Sequence, residues 1–316
     1  MGTKNLAMIP EYAYRKAPSD LEWHFIINEV KYVEDFMSRL ELAYDNDECA
    51  TINLLARYYR NYKGLEKAVC DDLILDYIQR YYREKLDSEL IGNFSWTLKK
   101  IQHATSLQHY ADNHGRKPLR DFDGIWITQE EINKICDLRS LEEQEVLFAC
   151  LCFTKMYNET NRRQGRKINN LFYVSTSVLR RCIGWKKGTS DKVEETMTRL
   201  LDKGYLGFVE NRDKYEMIIG KTAQPFVTRQ CNIVSEGENV LYIDNFDTLG
   251  LTLQFIFGNK RVKKCECGRY FEVASNRQKK CKKCNPKVQK SKKKSLKKMR
   301  KRQVNTDEND TKVLET

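Results

Sequence analysis

Residues 172–219 read FYVSTSVLRRCIGWKKGTSDKVEETMTRLLDKGYLGFVENRDKYEMII, and their punctuation is the most informative in the chain. FYVS has the aromatic and β-branched make-up of a short strand. STSVLRRCIG predicts a short helix, because Ser175 or Ser177 can accept from its first free N–H groups. Gly184, Gly188 and Thr189 mark a turn. Ser190 can cap a second helix over DKVEETMTRLLDK, and Gly204 stands where a left-handed residue would end it. YLGFVE and YEMII complete the stretch as two strands joined by NRDK.

This order of strand, helix, turn, helix and hairpin resembles a winged helix-turn-helix domain. Leu179, Val193, Met197, Leu200 and Leu201 would fill its core, with Leu206 and Phe208 from the first wing strand. Residues 125–158 would supply the preceding helices, which makes 125–220 the domain. The resemblance implies that the second helix enters a DNA major groove. Thr189, Ser190, Lys192, Thr196 and Arg199 would then face outward, and Arg212 and Lys214 would meet phosphate at the wing tip. Arg180, Arg181, Lys186 and Lys187 flank the turn. Glu194 and Glu195 oppose this reading, since two carboxylates repel phosphate; they equally suit a helix N-terminus. Winged helices also serve as protein-binding modules.

Further along, residues 265–284 read CECGRYFEVASNRQKKCKKC. Four thiolates at tetrahedral corners hold a structural zinc, and two close pairs on tight turns supply that geometry. Cys265, Cys267, Cys281 and Cys284 are therefore predicted to bind one zinc ion. Gly268 permits a sharp turn after the first pair, and Tyr270, Phe271 and Val273 offer an apolar patch on the first strand of a hairpin. Lys263, Lys264, Arg269, Lys280, Lys282 and Lys283 would offset the excess negative charge of the site. The pattern resembles a zinc ribbon, with one departure: Cys265–Glu266–Cys267 is one residue shorter than the usual C-x-x-C. With no histidine in the set, the zinc is read as structural and not catalytic.

Charge is very unevenly distributed. The whole chain carries +12, but residues 260–302 alone hold 20 Lys/Arg against two Glu, a net +18. The 259 residues before them sum to −3, as do the 14 after. Residues 287–302, KVQKSKKKSLKKMRKR, form a basic tail with no aromatic residue to stack on a base. Such asymmetry points to a polyanion partner.

Upstream, residues 20–115 show apolar residues every three or four positions and read as helices, with a break near Gly64. The many tyrosines there are read as packing residues. His103, His109 and His114 do not share a helix face, which argues against a metal site. A loop at Pro118–Gly124 marks a domain boundary. Thr128 and Glu131 have capping-box spacing, and a helix over LEEQEVLFACLCFTKMYNE carries acids in its first turn. VTRQCNIV, VLYIDNF and LTLQFIF read as short strands leading into the cysteine cluster.

The expected fold is thus mainly α with small β. It comprises a helical domain over 1–124, the winged helix-turn-helix over 125–220, a strand segment over 221–259, a zinc ribbon over 260–286 and a disordered basic tail over 287–316. The order is similar to that of uncharacterised proteins of bacteria and their mobile elements.

The other seven of the eleven cysteines form no regular framework, which fits a reducing compartment. The opening residues show no export signal, and Val146–Phe153 is too short an apolar run to span a bilayer. The sequence therefore predicts a cytoplasmic protein with no membrane partner. GWKKGTS lacks phosphate-loop spacing, and no hydrolase or zinc-protease motif is present. Asp71, Asp72 and Asp76 read as an acidic helix surface. The expected function is that of a non-enzymatic, zinc-containing protein that binds duplex DNA as a transcriptional regulator or replication accessory. The alternatives are an RNA- or ribosome-binding protein and a protein-binding scaffold.

Overall fold

A computed structural model of the chain describes residues 26–87, 93–114, 119–172, 174–186, 188–210, 227–274, 278–281 and 284. Lys187, Arg212, Lys214, Lys282, Lys283, the second wing strand and the basic tail lie outside the described residues. The described residues fall into two compact units, divided after Gly250. The described residues are mainly helical with three small sheets, in line with the expected fold class.

The first unit begins with helices. They are α1 (Glu29–Ser38), α2 (Ala43–Asn46), α3 (Glu48–Arg57), α4 (Lys67–Leu86) and α5 (Phe94–His114). Asn28 and Asp47 cap α1 and α3 by accepting from Lys31 N and Ala50 N. A π-helical turn, Tyr58–Tyr62, closes α3, and Gly64 at φ +69° makes the break that its type predicts. Val33, Phe36, Leu55, Ile74, Ile78 and Ile101 form the core of this layer. Tyr44, Tyr58, Tyr77 and Tyr81 are buried with them, so the tyrosines are packing residues. Asp71 pairs with Lys67 and accepts from Thr105, which ties two helices together.

An ion-paired cluster anchors the loop that follows. Glu29 is 1 % exposed and lies 3.0 Å from Arg57 Nη1, and its Oε2 accepts from Arg120 N at 2.8 Å. Arg120 also donates to the carbonyls of Ile26 and Ile27. Burial raises the Glu29 carboxyl pKa, but the Arg120 and Arg57 charges outweigh it and hold the group below its ordinary value.

Strand β1 (Ile125–Thr128) leads straight into α6 (Gln129–Cys136). The capping box is formed: Glu131 N donates to Thr128 Oγ1, and Thr128 N donates to Glu131 Oε2. Glu131 is fully buried and is paired with Lys155 at 2.8 Å. Next comes α7 (Leu141–Arg163), in which every residue from Val146 to Thr154 is buried. An encircled helix of this kind needs no polar face, so Cys150 and Cys152 are both interior despite lying on different sides.

Around α7 sit β2 (Leu171–Phe172), α8 (Thr176–Ile183), α9 (Ser190–Asp202), β3 (Leu206–Glu210) and β4 (Val227–Cys231). Ser175 caps α8, and Gly184 ends it at φ +88°. Thr189, not Ser190, precedes α9, and it makes no side-chain cap. Gly204 closes α9 at φ +77°, with Gly204 N donating to Leu201 O and Tyr205 N to Leu200 O. The sheet is antiparallel in the order β2-β4-β3.

Three expectations change here. The neighbour of β3 is β4, whose residues were assigned to a separate strand segment. VLYIDNF provides β5 (Asn239–Ile243), but this strand pairs antiparallel with β1. Residues 227–243 are thus tied by backbone hydrogen bonds to the elements that precede them, and the unit boundary falls at Gly250. LTLQFIF, expected as a strand, belongs to α10 (Leu249–Ile256). Its buried side chains Leu249, Thr252 and Leu253 stand at helical spacing. Gly258 at φ +77° ends it, with Gly258 N on Phe255 O and Asn259 N on Gln254 O. A short run that is apolar throughout has no period to separate helix from strand, and this C-terminal cap decides it.

The second unit carries an antiparallel hairpin of β6 (Val262–Lys264) and β7 (Tyr270–Glu272). Tyr270 and Phe271 therefore lie on its second strand, not its first.

Candidate metal centre and nucleic-acid interface

The first cysteine pair sits on the turn of the β6–β7 hairpin. Cys265 N donates to Arg269 O at 2.8 Å, and Gly268 N donates to Cys265 O at 2.9 Å. Gly268 takes φ +81°, so glycine is required there for conformation rather than for space. The second pair forms its own turn, with Cys284 N on Cys281 O at 3.1 Å. Cys281 N also donates to Cys265 Sγ at 3.4 Å, which links the two knuckles. Phe271 is buried beside the cluster, and Val273 is partly buried.

All four Sγ atoms lie within 4.8 Å of one another. Zinc with four thiolates at about 2.3 Å requires sulfur–sulfur edges of about 3.8 Å. Cys267 and Cys281 are 3.7 Å apart. The donor set therefore fits a tetrahedral metal with a small contraction, and the shorter first knuckle does not prevent convergence. Cys265 and Cys281 are buried and Cys267 is exposed, so the centre is open on one side. Backbone donation from Cys281 and then Cys267 lowers the Cys265 thiol to about 6. Cys284, sharing hydrogen bonds with Cys267 and Cys281, is pushed up to about 12. A metal cation bound there would favour the thiolate at every position.

Cations surround this centre. Lys280 pairs with Glu266 at 3.1 Å. Lys260, Arg261, Lys264 and Lys279 are exposed and have no carboxylate partner among the described residues. Aromatic rings lie among them. Phe255 is 43 % exposed and its ring centroid is 5.1 Å from that of Tyr270, inclined at 49°. Lys264 Nζ lies 5.5 Å from the Tyr270 ring centroid.

The helix-turn-helix elements present a different surface. Lys192 is ion-paired with Glu142 of α7, and its Nζ lies 5.0 Å over the Trp185 ring. Arg199 approaches Glu143 at 3.4 Å and donates to Thr196, while Lys203 reaches Glu143 at 2.7 Å. Trp185 Nε1 donates to Glu145 at 2.8 Å. The acids at the start of α7, read as dipole partners, thus hold the basic edge of α9. Thr196, expected to face outward, is fully buried, and its hydroxyl donates to Lys192 O.

Beside these paired cations, α9 shows four acids to solvent. Asp191, Glu195 and Asp202 are exposed at positions i, i+4 and i+11, and Glu194 is exposed beside them. Glu194 accepts from Arg229 of β4 at 2.8 and 3.1 Å. Arg180 donates to Trp185 O, Arg181 is exposed, and Lys186 is exposed without a carboxylate partner among the described residues. Helical amphipathicity alone could not reveal this division, because it depends on α7, at least 27 residues earlier.

The first unit also holds a polar cleft of about 920 Å³ that includes Trp126, Tyr242, Lys31, Arg162 and Arg163. Its cations are matched, with Lys31 on Asp123 at 2.7 Å and Arg163 on Glu159 at 2.7 Å. His103 is exposed. Among the described residues, no helix is long and apolar enough to cross a membrane. No protein-family model, curated protein or solved structure matches the chain.

Proposed function

We propose that this chain is a non-enzymatic, zinc-containing nucleic-acid-binding protein whose C-terminal unit supplies the binding energy and whose metal maintains the fold of that unit. One observation carries the reading: the four-cysteine cluster stands within the segment of net +18, where Lys260, Arg261, Lys264 and Lys279 have no carboxylate partner among the described residues. Phosphate contacts by unpaired lysines and arginines release counterions, and this is the main source of affinity for a nucleic acid. DNA is the proposed partner, in the role of a transcriptional regulator or replication accessory, with a duplex expected at the winged-helix region. The helix order around α8 and α9 and the β2-β4-β3 sheet support the winged-helix reading.

A second reading is favoured by the acidic stripe of α9. A helix showing Asp191, Glu195 and Asp202 is better suited to a basic protein surface than to a phosphate backbone. The winged-helix region would then dock a protein, and the C-terminal unit would hold the nucleic acid.

Competition binding over two salt concentrations separates these readings. Removal of residues 287–316 is expected to weaken binding to all sequences and flatten the salt dependence. Glu195→Gln is expected to strengthen duplex binding if α9 faces phosphate, and to leave it unchanged if α9 faces protein. Salt-independent binding, or none, would refute the C-terminal assignment.

A further inference from the structure

We infer that Phe255 and Tyr270 form a stacking platform for unpaired bases, so that the zinc-bearing unit prefers single-stranded nucleic acid to a duplex. The inference rests on the proposal that this unit contacts nucleic acid, and it adds what charge alone cannot supply. A basic tail attracts any polyanion. Discrimination between paired and unpaired strands needs a flat apolar surface that a base can reach only when it leaves its own stack.

Three features of this unit meet that need. First, Phe255 is 43 % exposed and Phe257 37 % exposed, although burial would be favourable for both. They lie near the end of a helix whose buried side is Leu249, Thr252 and Leu253, so their exposure follows from the helical register. Second, Phe255 meets Tyr270, which projects from the hairpin next to the cysteine cluster. The two rings are inclined at 49° and form an open wedge rather than a closed stack. Third, Lys264 lies cross-strand from Tyr270 with its Nζ over that ring. Lys260 and Arg261 follow the end of the helix, exposed and without carboxylate partners among the described residues. Aromatic faces for bases flanked by cations for phosphates make up the usual surface for single strands.

The contrast with Trp126 and Tyr242 in the first unit supports the choice. Those rings are also exposed, with centroids 4.9 Å apart, but the Lys31 beside them is matched by Asp123. That cleft lacks the excess positive charge a polyanion requires.

The test uses the full chain loaded with zinc and three probes of equal length: a thymidine oligonucleotide, the same strand made abasic, and a duplex. Fluorescence anisotropy at moderate salt is expected to show the thymidine strand bound about tenfold more tightly than either of the others. Phe255→Ala should weaken binding to the thymidine strand about 5- to 30-fold, in the range found for loss of one stacked base. It should leave the abasic strand within twofold. Phe255→Trp should retain or improve the preference, and Tyr270→Phe, which keeps the ring, should behave as the parent. Zinc content measured on each variant shows whether the hairpin is intact. Equal affinity for thymidine and abasic strands, tighter binding of the duplex, or an equal loss on all three probes with Phe255→Ala would overturn the platform. In each of those cases steep salt dependence would persist, and binding by charge would stand. Absence of binding to every probe would remove the underlying proposal as well.

Discussion

The basic residues of α9 and those around the cysteine cluster are of one chemical kind in two electrostatic situations. On α9, Lys192, Arg199 and Lys203 each meet a carboxylate of α7. In the second unit, Lys260, Arg261, Lys264 and Lys279 have none among the described residues. Paired cations orient helices, and at an exposed surface each such pair contributes only about 0–1 kcal/mol. Unpaired cations contribute nothing to the fold and repel one another. Under the proposed function a polyanion receives them. A count of Lys and Arg treats both groups alike, and their partners separate them.

The metal offers the strongest way to break this comparison. Cys281→Ser, or removal of zinc with a chelator, is expected to abolish metal binding and hydrogen-exchange protection over residues 262–284. Thermal melting of residues 1–250 should be unchanged. So small a hairpin core, essentially Phe271 and Val273, does not hold without the ion. A hairpin that stays protected without metal would show that the cluster is not what folds it.

Within the first unit, Glu29→Gln is expected to cost about 3–5 kcal/mol, because it leaves the buried Arg120 charge and the partly buried Arg57 charge uncompensated. The pH dependence follows from the sign. The folded carboxyl has a pKa below its unfolded value, so its contribution is complete above that value. The contribution is lost as the pH falls from about 4.5 through the folded pKa, and the gap between parent and variant should close there. Denaturant melts at pH 7 and pH 3 measure this. A gap that stays constant would show that the pair is not held as ions.

Removal of the tail, residues 287–316, should reduce affinity for a long nucleic acid by about 100-fold near physiological salt, with a lower slope of log affinity against log salt. Isothermal binding across a salt series checks it. The smallest effect is expected at Arg199. Arg199→Ala should change DNA affinity by less than twofold and stability by at most about 1 kcal/mol, because the side chain is held by Glu143 and Thr196. A selective loss of one DNA sequence in this variant would restore Arg199 as a base reader.

The elements bounded by strong local chemistry could be read in advance. The capping box at Thr128 and Glu131, the stop at Gly204 and the break at Gly64 are backbone decisions made by a few adjacent residues. The cysteine pairs were legible for the same reason, since close spacing on tight turns already constrains the sulfurs. The run from Leu249 to Phe257 was not, because uniform apolarity carries no period. The aromatic wedge depends on that same helix. As a strand, that run would have sent Phe255 and Phe257 to the same face as Leu253; as a helix it exposes both while Leu253 stays buried.

By itself the sequence determined the segregation of charge, the pairing of the cysteines and the capped helices and turns from Thr128 to Gly204, since each depends on residues within a few positions of one another. Only the tertiary structure decided what those features face. It set β4 beside β3 and β5 beside β1, turned the basic edge of α9 onto Glu142 and Glu143, and left Asp191, Glu195 and Asp202 to solvent. The physical reason is range. Caps and turns are satisfied by backbone groups close in sequence. The sign of a surface depends on which side chains find counter-charges, and those partners lie 50 to 60 residues away, as Glu142 does from Lys192 and Glu143 from Lys203.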